Sequence, residues 1–321
     1  MQNKQHVVVV VDCDHPSIDP EKTVLKDICS EVRWNHCRTE DEIIAQCAEG
    51  EALLVQYAPM TRRVLEKLPR CKVIARYGVG VDTIDLKASE DLGIIVSNVP
   101  DSGTNEVSDH ALAMMLCLTR KVPQANAYVK NGQWDFRLMA PVRRHKTQTI
   151  GIIGIGRIGQ AMAHKTHAIG MRVLAYDPHV DPASLPDYIT LVSLEDLLRQ
   201  ADVVSIHCPL TSETRNMLDE KKLRLLKPSA YLVNTARGNI VNEADLDKLL
   251  TEKKLAGAAM DVLAVEPAVT PHPLFKHDNF YCTPHIAWHS EESEVELKRK
   301  AAEEARRVLL GEAPQYQVNK F

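Results

Sequence analysis

A chain of 321 residues is longer than one hydrophobic core usually organises, so two domains of ordinary size are expected. Its 45% hydrophobic and 26% charged residues exclude a disordered chain, and a formal net charge of -4 lacks the basic excess that would engage nucleic acid. Eight cysteines, at 13, 29, 37, 47, 71, 117, 208 and 282, form no C-x-x-C pair and no regular spacing with His, which argues for reduced thiols and no metal site.

Residues 6–12, 31–36, 52–56, 73–76 and 94–98 are short apolar runs that read as strands. Residues 41–48 and 61–68 carry a helical period between them. The run at 7–11 is far too short to span a bilayer and lacks a signal peptide's basic flank and cleavage site, so no membrane contact and a cytoplasmic location are expected. Alternating strands and helices imply parallel pairing with helices on both faces, because parallel strands need crossover connections. A small doubly wound domain follows.

A long helix is predicted from near Thr104, with Val107, Ala111, Met114, Met115 and Leu118 at helical spacing, and Pro123 should kink or end it. Asn131-Gly132 closes the next helical segment. The stretch Arg143, Arg144, His145, Lys146 reads as a solvated connection or a partner contact. From Thr149 the alternation resumes, with strands at 149–153, 172–176, 203–207, 230–234 and 258–260 and helices near 158–168, 194–200, 220–226 and 243–250. The final stretch, with Glu292, Glu294, Glu296, Lys298 and Arg299 among alanines, forms one amphipathic helix, long enough to pack back on the first domain and make it discontinuous.

Gly154-Ile155-Gly156-Arg157-Ile158-Gly159 follows an apolar strand and opens a helix, and Asp177 ends the next strand 18 residues after Gly159. Each part has a task in holding a dinucleotide. Gly154 permits the tight turn, Gly156 lets the backbone approach a pyrophosphate, and Gly159 lets the helix pack closely on the strand. The N-terminus of the helix, at Arg157 and Ile158, offers unpaired N–H groups to phosphate. Asp177 suits both ribose hydroxyls and repels a 2'-phosphate, and no Arg follows it, so NAD is expected rather than NADP.

Three further segments sit at strand ends, where open parallel sheets bind ligands: Asn234-Thr235-Ala236-Arg237-Gly238, Asp261-Val262-Leu263-Ala264-Val265-Glu266-Pro267 and Cys282-Thr283-Pro284-His285. With Tyr77-Gly78-Val79-Gly80-Val81-Asp82 and His207-Cys208-Pro209-Leu210-Thr211, these make the chain resemble the D-isomer-specific 2-hydroxyacid dehydrogenase family over nearly its whole length. The resemblance implies an α/β fold of two doubly wound parallel-sheet domains. A Rossmann-type cofactor domain, residues 102–289, is inserted into a flavodoxin-like substrate domain, residues 1–101 and 290–321. A homodimer built on the cofactor domain is usual in the family.

The resemblance also implies roles. Arg237 holds the carboxylate of a small 2-hydroxy or 2-oxo acid, a task suited to its planar, permanently charged fork. His285 is the acid/base, and Glu266 is the partner carboxylate that stabilises its imidazolium. Val79 and Gly80 offer backbone N–H groups to the substrate. Thr104, His207, Cys208, Pro209, Thr235, Ala236 and Asp261 line the cofactor. Cys282 to Glu291 resembles the C-terminal-binding-protein-like branch, where an aromatic follows the His by three. Trp288 then either walls an apolar pocket or packs under the terminal helix.

Tyr57 lies after the third strand and is counted with the substrate contacts. There the chain reads Gln56-Tyr57-Ala58-Pro59-Met60, without the basic residue a phosphoglycerate dehydrogenase usually carries, although Arg62 and Arg63 lie close by. Asp109 stands before His110 where the family often has Glu. Three other readings share the scaffold. A D-3-phosphoglycerate dehydrogenase-like enzyme shares the Gly78 to Asp82 region and stays open; an NADH-sensing corepressor binds peptides; and formate dehydrogenase pairs its His with Gln, against which Glu266 counts.

Overall fold

The computed structural model describes residues 5–321. These divide into two compact units, one up to Gly103 together with Ser290–Phe321, the other Thr104–His289. In the first, β1 (His6–Val10), α1 (Asp19–Leu25), β2 (Cys29–Trp34), α2 (Glu40–Cys47), β3 (Ala52–Val55), α3 (Arg62–Leu65), β4 (Val73–Arg76), α4 (Leu86–Asp91) and β5 (Ile95–Ser97) alternate. The strands pair in parallel in the order β2-β1-β3-β4-β5, which is the flavodoxin-like order. Val8, Val9, Val10, Leu53, Leu54 and Ile74 are fully buried, as expected of central strands covered on both faces. A capping box formed by Thr39 and Glu42 starts α2. Helices α1 and α4 escape the sequence pattern because, at seven and six residues, neither completes two turns of the period.

The second unit runs α5 (Thr104–Arg120), α6 (Val122–Lys130), β6 (Thr149–Ile153), α7 (Arg157–Ala168), β7 (Arg172–Tyr176), β8 (Ile189–Leu191), α8 (Leu194–Gln200), β9 (Val203–Ile206), α9 (Glu220–Leu223), β10 (Tyr231–Asn234), α10 (Glu243–Thr251), β11 (Gly257–Met260) and β12 (Phe280–Cys282). Its seven described strands, all parallel, are ordered β12-β11-β10-β9-β6-β7-β8. This is the Rossmann order with an added edge strand. The three-residue β8 is too short to announce itself by pattern. Pro123 neither kinks nor ends α5. That helix stops at Arg120, Lys121 turns left-handed at φ 54°, and the proline sits in the first turn of α6, where its missing N–H costs nothing.

The last helix, α11 (Glu291–Leu309), belongs to the first unit. Ser290 and Ser293 cap its start reciprocally, and Leu297, Ala301, Ala302 and Ala305 form its buried face. The tail beyond it runs beside β5: Val318 N–H donates to Val96 O at 2.8 Å. The buried Asn319 accepts from Val96 N–H and donates to Ile94 O, both at 2.8 Å. Strand order reverses between β1 and β3 in the first sheet and between β6 and β9 in the second. At these switch points the loops leaving the strand ends diverge and open a crevice.

Candidate active site

The second sheet's switch point is built around three glycines. Gly154 has φ +88°, and a Cβ there would fall 2.5 Å from Cys208 N, so only glycine lets the loop after β6 touch the loop after β9. A Cβ on Gly159 would fall 2.1 Å from Gly154 O, which is how closely α7 packs on the turn. At Gly156, by contrast, a Cβ would meet no described atom within 4 Å. That position faces open space, the condition for a ligand to approach the backbone. Asp177 accepts from Ile155 N–H at 3.0 Å and His179 N–H at 2.9 Å, which holds its carboxylate beside the glycine loop.

Other expected cofactor residues cluster on the same sheet edge. His207 N–H donates to Ile153 O at 2.8 Å, and the His207 ring meets Ser205 Oγ at 2.8 Å. Burial pushes the His207 imidazole down to about 4 and the Cys208 thiol up to about 12, so both groups are neutral near pH 7. The buried Thr235 Oγ1, at the end of β10, has no hydrogen-bond partner among the described residues. A buried hydroxyl left that way calls for a ligand group. The open Gly156 and this hydroxyl both fit a dinucleotide, which Gly154 to Gly159, Asp177 and the His207 to Pro209 loop would hold. Thr104 opens α5, and Ala236 follows in the turn after β10.

The three expected catalytic residues come from three adjacent strand ends. Asn234 ties the turn after β10, its Oδ1 accepting from Ala236 N–H at 3.0 Å and its Nδ2 donating to Arg237 O at 2.9 Å. A Cβ at Gly238 would fall 2.0 Å from Leu263 C, so the Arg237 turn lies directly against the loop after β11. In that loop Glu266 Oε1 accepts from Leu263 N–H at 2.8 Å, and Glu266 Oε2 accepts from His285 Nδ1 at 2.6 Å. Burial acts to raise the Glu266 pKa. The hydrogen bond and charge of His285, the Leu263 N–H and the Arg237 guanidinium outweigh it and hold the carboxyl below its ordinary value.

His285 sits at φ +56°, a left-handed conformation rare for a side chain larger than glycine. Its backbone N–H donates to Asp261 O at 2.8 Å. The Asp261 carboxylate, fully buried at the end of β11, accepts from Thr283 Oγ1 at 2.5 Å, Ile286 N–H at 2.9 Å and Ala287 N–H at 2.8 Å. Trp288 Nε1–H donates to His285 O at 3.0 Å, so its indole is tied to this turn.

Tyr57, Val79 and Gly80 belong to the first unit. There Gly78 is demanded by its backbone, at φ +114°, and the mobile Arg76 guanidinium lies in the space beside it. Arg76, His110 and Asp12 carry interactions that sequence reasoning did not single out. A polar residue closing or directly following an apolar strand was the signal available for Arg76 and Asp12. Asp109 acquires a physical account: its carboxylate pairs with Lys165 Nζ at 2.8 Å and links α5 to α7. Arg62 pairs with Asp91 at 2.7 Å, and Arg63 with Glu40 at 2.7 Å and Asp41 at 2.5 Å. Among the described residues no group of three or more His, Cys, Asp or Glu is placed to hold a metal, and no helix is long and apolar enough to cross a membrane.

Glycine loop, strand-end acid and strand order together define the second unit as a dinucleotide-binding domain. Residues 112–287 match the model of the D-isomer specific 2-hydroxyacid dehydrogenase NAD binding domain. The chain is 36% identical over 315 residues to a glyoxylate reductase of Thermofilum pendens, covering 94% of this chain and 92% of that one. It is 38% identical over 284 residues to D-3-phosphoglycerate dehydrogenase of Mycobacterium tuberculosis, 88% of this chain but 53% of the relative, so it spans about half the length of such relatives. The structure of D-lactate dehydrogenase from Aquifex aeolicus, complexed with NAD and lactic acid, superposes with a TM-score of 0.85 at 29% identity, covering 95% of this chain and 96% of that one. The chain belongs to the D-isomer specific 2-hydroxyacid dehydrogenase family, and its cofactor is NAD.

Proposed function

We propose that the protein is an NAD-dependent 2-hydroxyacid dehydrogenase, or 2-oxoacid reductase, acting through Arg237, Glu266 and His285. The observation that carries this reading is the 2.6 Å contact between His285 Nδ1 and Glu266, with the Arg237 turn packed against the same loop. Glu266 occupies Nδ1 and stabilises the imidazolium, which leaves Nε2 to exchange a proton with the substrate oxygen. Arg237 holds the substrate carboxylate and polarises the carbonyl. When bound, the nicotinamide supplies the two-electron chemistry. During reduction His285 donates its proton to the developing alkoxide, and during oxidation it removes the proton from the hydroxyl.

The first unit is proposed as the substrate domain, with Tyr57, Val79 and Gly80 as substrate contacts and Trp288 of the second unit as an apolar wall. An unphosphorylated acid is favoured, because Arg62 and Arg63 are already engaged by carboxylates. A phosphorylated hydroxy acid is the second reading, supported by Arg76 beside Gly78 and by the phosphoglycerate dehydrogenase relatives. A homodimer is proposed on the cofactor domain. Its segment 122–142 exposes Trp134 at 88% and Phe136 at 87%, an apolar surface that a second copy would cover; sedimentation checks this. A cytoplasmic location is proposed from the eight free thiols, with cell fractionation as its test.

NADH oxidation against 2-oxo acids, from glyoxylate, pyruvate and hydroxypyruvate to aromatic and phosphorylated ones, tests the assignment. Turnover is expected with at least one unphosphorylated acid, and a response to phosphohydroxypyruvate alone would select the second reading. Arg237→Ala and His285→Ala are each expected to reduce kcat/KM by about 1,000-fold or more while NADH still binds. Near-normal kinetics in either variant removes the proposed roles.

A further inference from the structure

We infer that His110 and Thr283 are positioning residues that hold His285 in its left-handed turn and thereby keep it against Glu266. The inference rests on the reading of His285 as the acid/base. Its own geometry can be tested without turnover.

Left to itself, the backbone of a histidine avoids φ +56°, so the surroundings must over-determine the conformation. They do so largely through one buried acid. Asp261 collects the Thr283 hydroxyl, Ile286 N–H and Ala287 N–H on its carboxylate and His285 N–H on its carbonyl. These donors flank His285 on both sides in sequence, so they clamp the turn rather than a single atom.

Proton counting then brings in α5. A threonine hydroxyl has one proton. At 2.5 Å from Asp261 Oδ1, the Thr283 proton is directed to the carboxylate. His110 Nε2 lies 3.0 Å from the same hydroxyl and 3.7 Å from Asp261 Oδ1. Because the hydroxyl has already donated, it accepts here and His110 Nε2 carries the hydrogen. The sequence His110 to Thr283 to Asp261 is thus a directed chain that ends under the His285 turn. It orients the threonine hydroxyl toward Asp261 Oδ1, the same oxygen that accepts from Ile286 N–H in the turn.

The groups around His285 identify the contact at stake. Glu266, from the loop after β11, touches Nδ1, and Arg237, from the turn after β10, acts on Glu266. Asp261 lies under the turn, His110 faces Asp261 from α5, Cys282 precedes the turn on β12, and Glu243 of α10 accepts from Ala264 N–H in the Glu266 loop. Of these, Glu266 supplies the close favourable contact with an imidazolium. A relaxed turn lengthens that contact.

The experiment is NMR of the histidine ring N–H groups in the full chain, with His285 assigned by its absence in His285→Gln. The resonance of the Nδ1–H that His285 donates to Glu266 reports the contact directly. Thr283→Val removes the hydroxyl and His110→Phe removes the donor; each is expected to abolish that resonance or move it upfield toward an unbonded imidazole. Thr283→Ser and His110→Gln keep a hydroxyl and an N–H donor, and each should restore the wild-type resonance. In an active enzyme the first pair should also lower kcat by about 10-fold with NADH affinity little changed. A resonance unmoved in folded Thr283→Val and His110→Phe would overturn the inference. If those two fail to fold, loss of the resonance in both Thr283→Ser and His110→Gln would overturn it as well. Absence of turnover in the wild type would defeat the dehydrogenase reading and leave the NMR result standing.

Discussion

The two sheets are wound alike, yet their switch points are finished with opposite chemistry. In the second unit the loop after β6 has no side chain at Gly154 and Gly156, nor has the first turn of α7 at Gly159, and Gly156 faces open space. In the first unit the corresponding place after β1 is filled by Asp12. Its buried carboxylate accepts from Gln56 N–H at 2.7 Å, Tyr57 N–H at 2.5 Å and Ala58 N–H at 2.7 Å, all in the loop after β3. Three converging amides are an anion site in principle. Here the chain's own acid occupies it and turns a ligand crevice into a structural clamp. The same topology therefore binds a dinucleotide in one unit and holds the Tyr57 loop in the other, by glycine in one case and aspartate in the other.

Substitutions at the glycines should break this contrast most severely. Gly154→Ala faces both a positive φ and a backbone collision, and is expected to cost about 3 kcal/mol or more, seen as a large fall in Tm or a failure to fold. Gly156→Ala, which collides with nothing described, should leave Tm within about 2 °C yet weaken NADH binding at least about 10-fold by fluorescence titration. Equal behaviour of the two variants would mean that Gly156 is structural as well.

Asp12→Ala should come next. It strands buried N–H groups and is expected to cost about 2–4 kcal/mol in urea unfolding, with NADH affinity unchanged. An unchanged urea midpoint would show that the clamp holds nothing.

Acid titration separates the two places by sign. His207, in the second unit, is depressed from its ordinary 6.5 to about 4 by burial, so the unfolded chain takes the proton first. Stability should fall as pH drops from 6.5 toward 4, by about 2–3 kcal/mol, and His207→Gln should flatten that window in calorimetry. Asp12 is raised above 3.8, chiefly by burial, although its three amide donors pull it down. The folded chain therefore protonates it first, and its contribution changes in the opposite sense, above 3.8. The smallest effect expected is at the surface pair: Asp109→Ala should cost about 0.5 kcal/mol or less.

Much of the second unit's candidate site is legible in the sequence. Three glycines after an apolar strand, an acid at the next strand end, and Arg237, Glu266 and His285 at later strand ends are local patterns, and strand ends are where parallel sheets present residues. His110 was not readable as a partner of Thr283, because 173 residues separate them and a lone histidine on a helix face has many possible roles. Asp12 was absorbed into the end of its strand, since nothing local says that the amides of residues 56–58 will arrive there. The short α1, α4 and β8 were missed because each is shorter than the periodicity that would reveal it.

By itself, then, the order of residues determined the alternation of strands and helices, the glycine turn and the chemical types available at each strand end, because these depend on neighbours a few positions apart. Only the tertiary structure decided which acid meets which donor. A carboxylate such as Asp12 or Asp261 becomes a clamp, and Glu266 a partner for His285, when distant segments converge in a buried place where every donor must be satisfied.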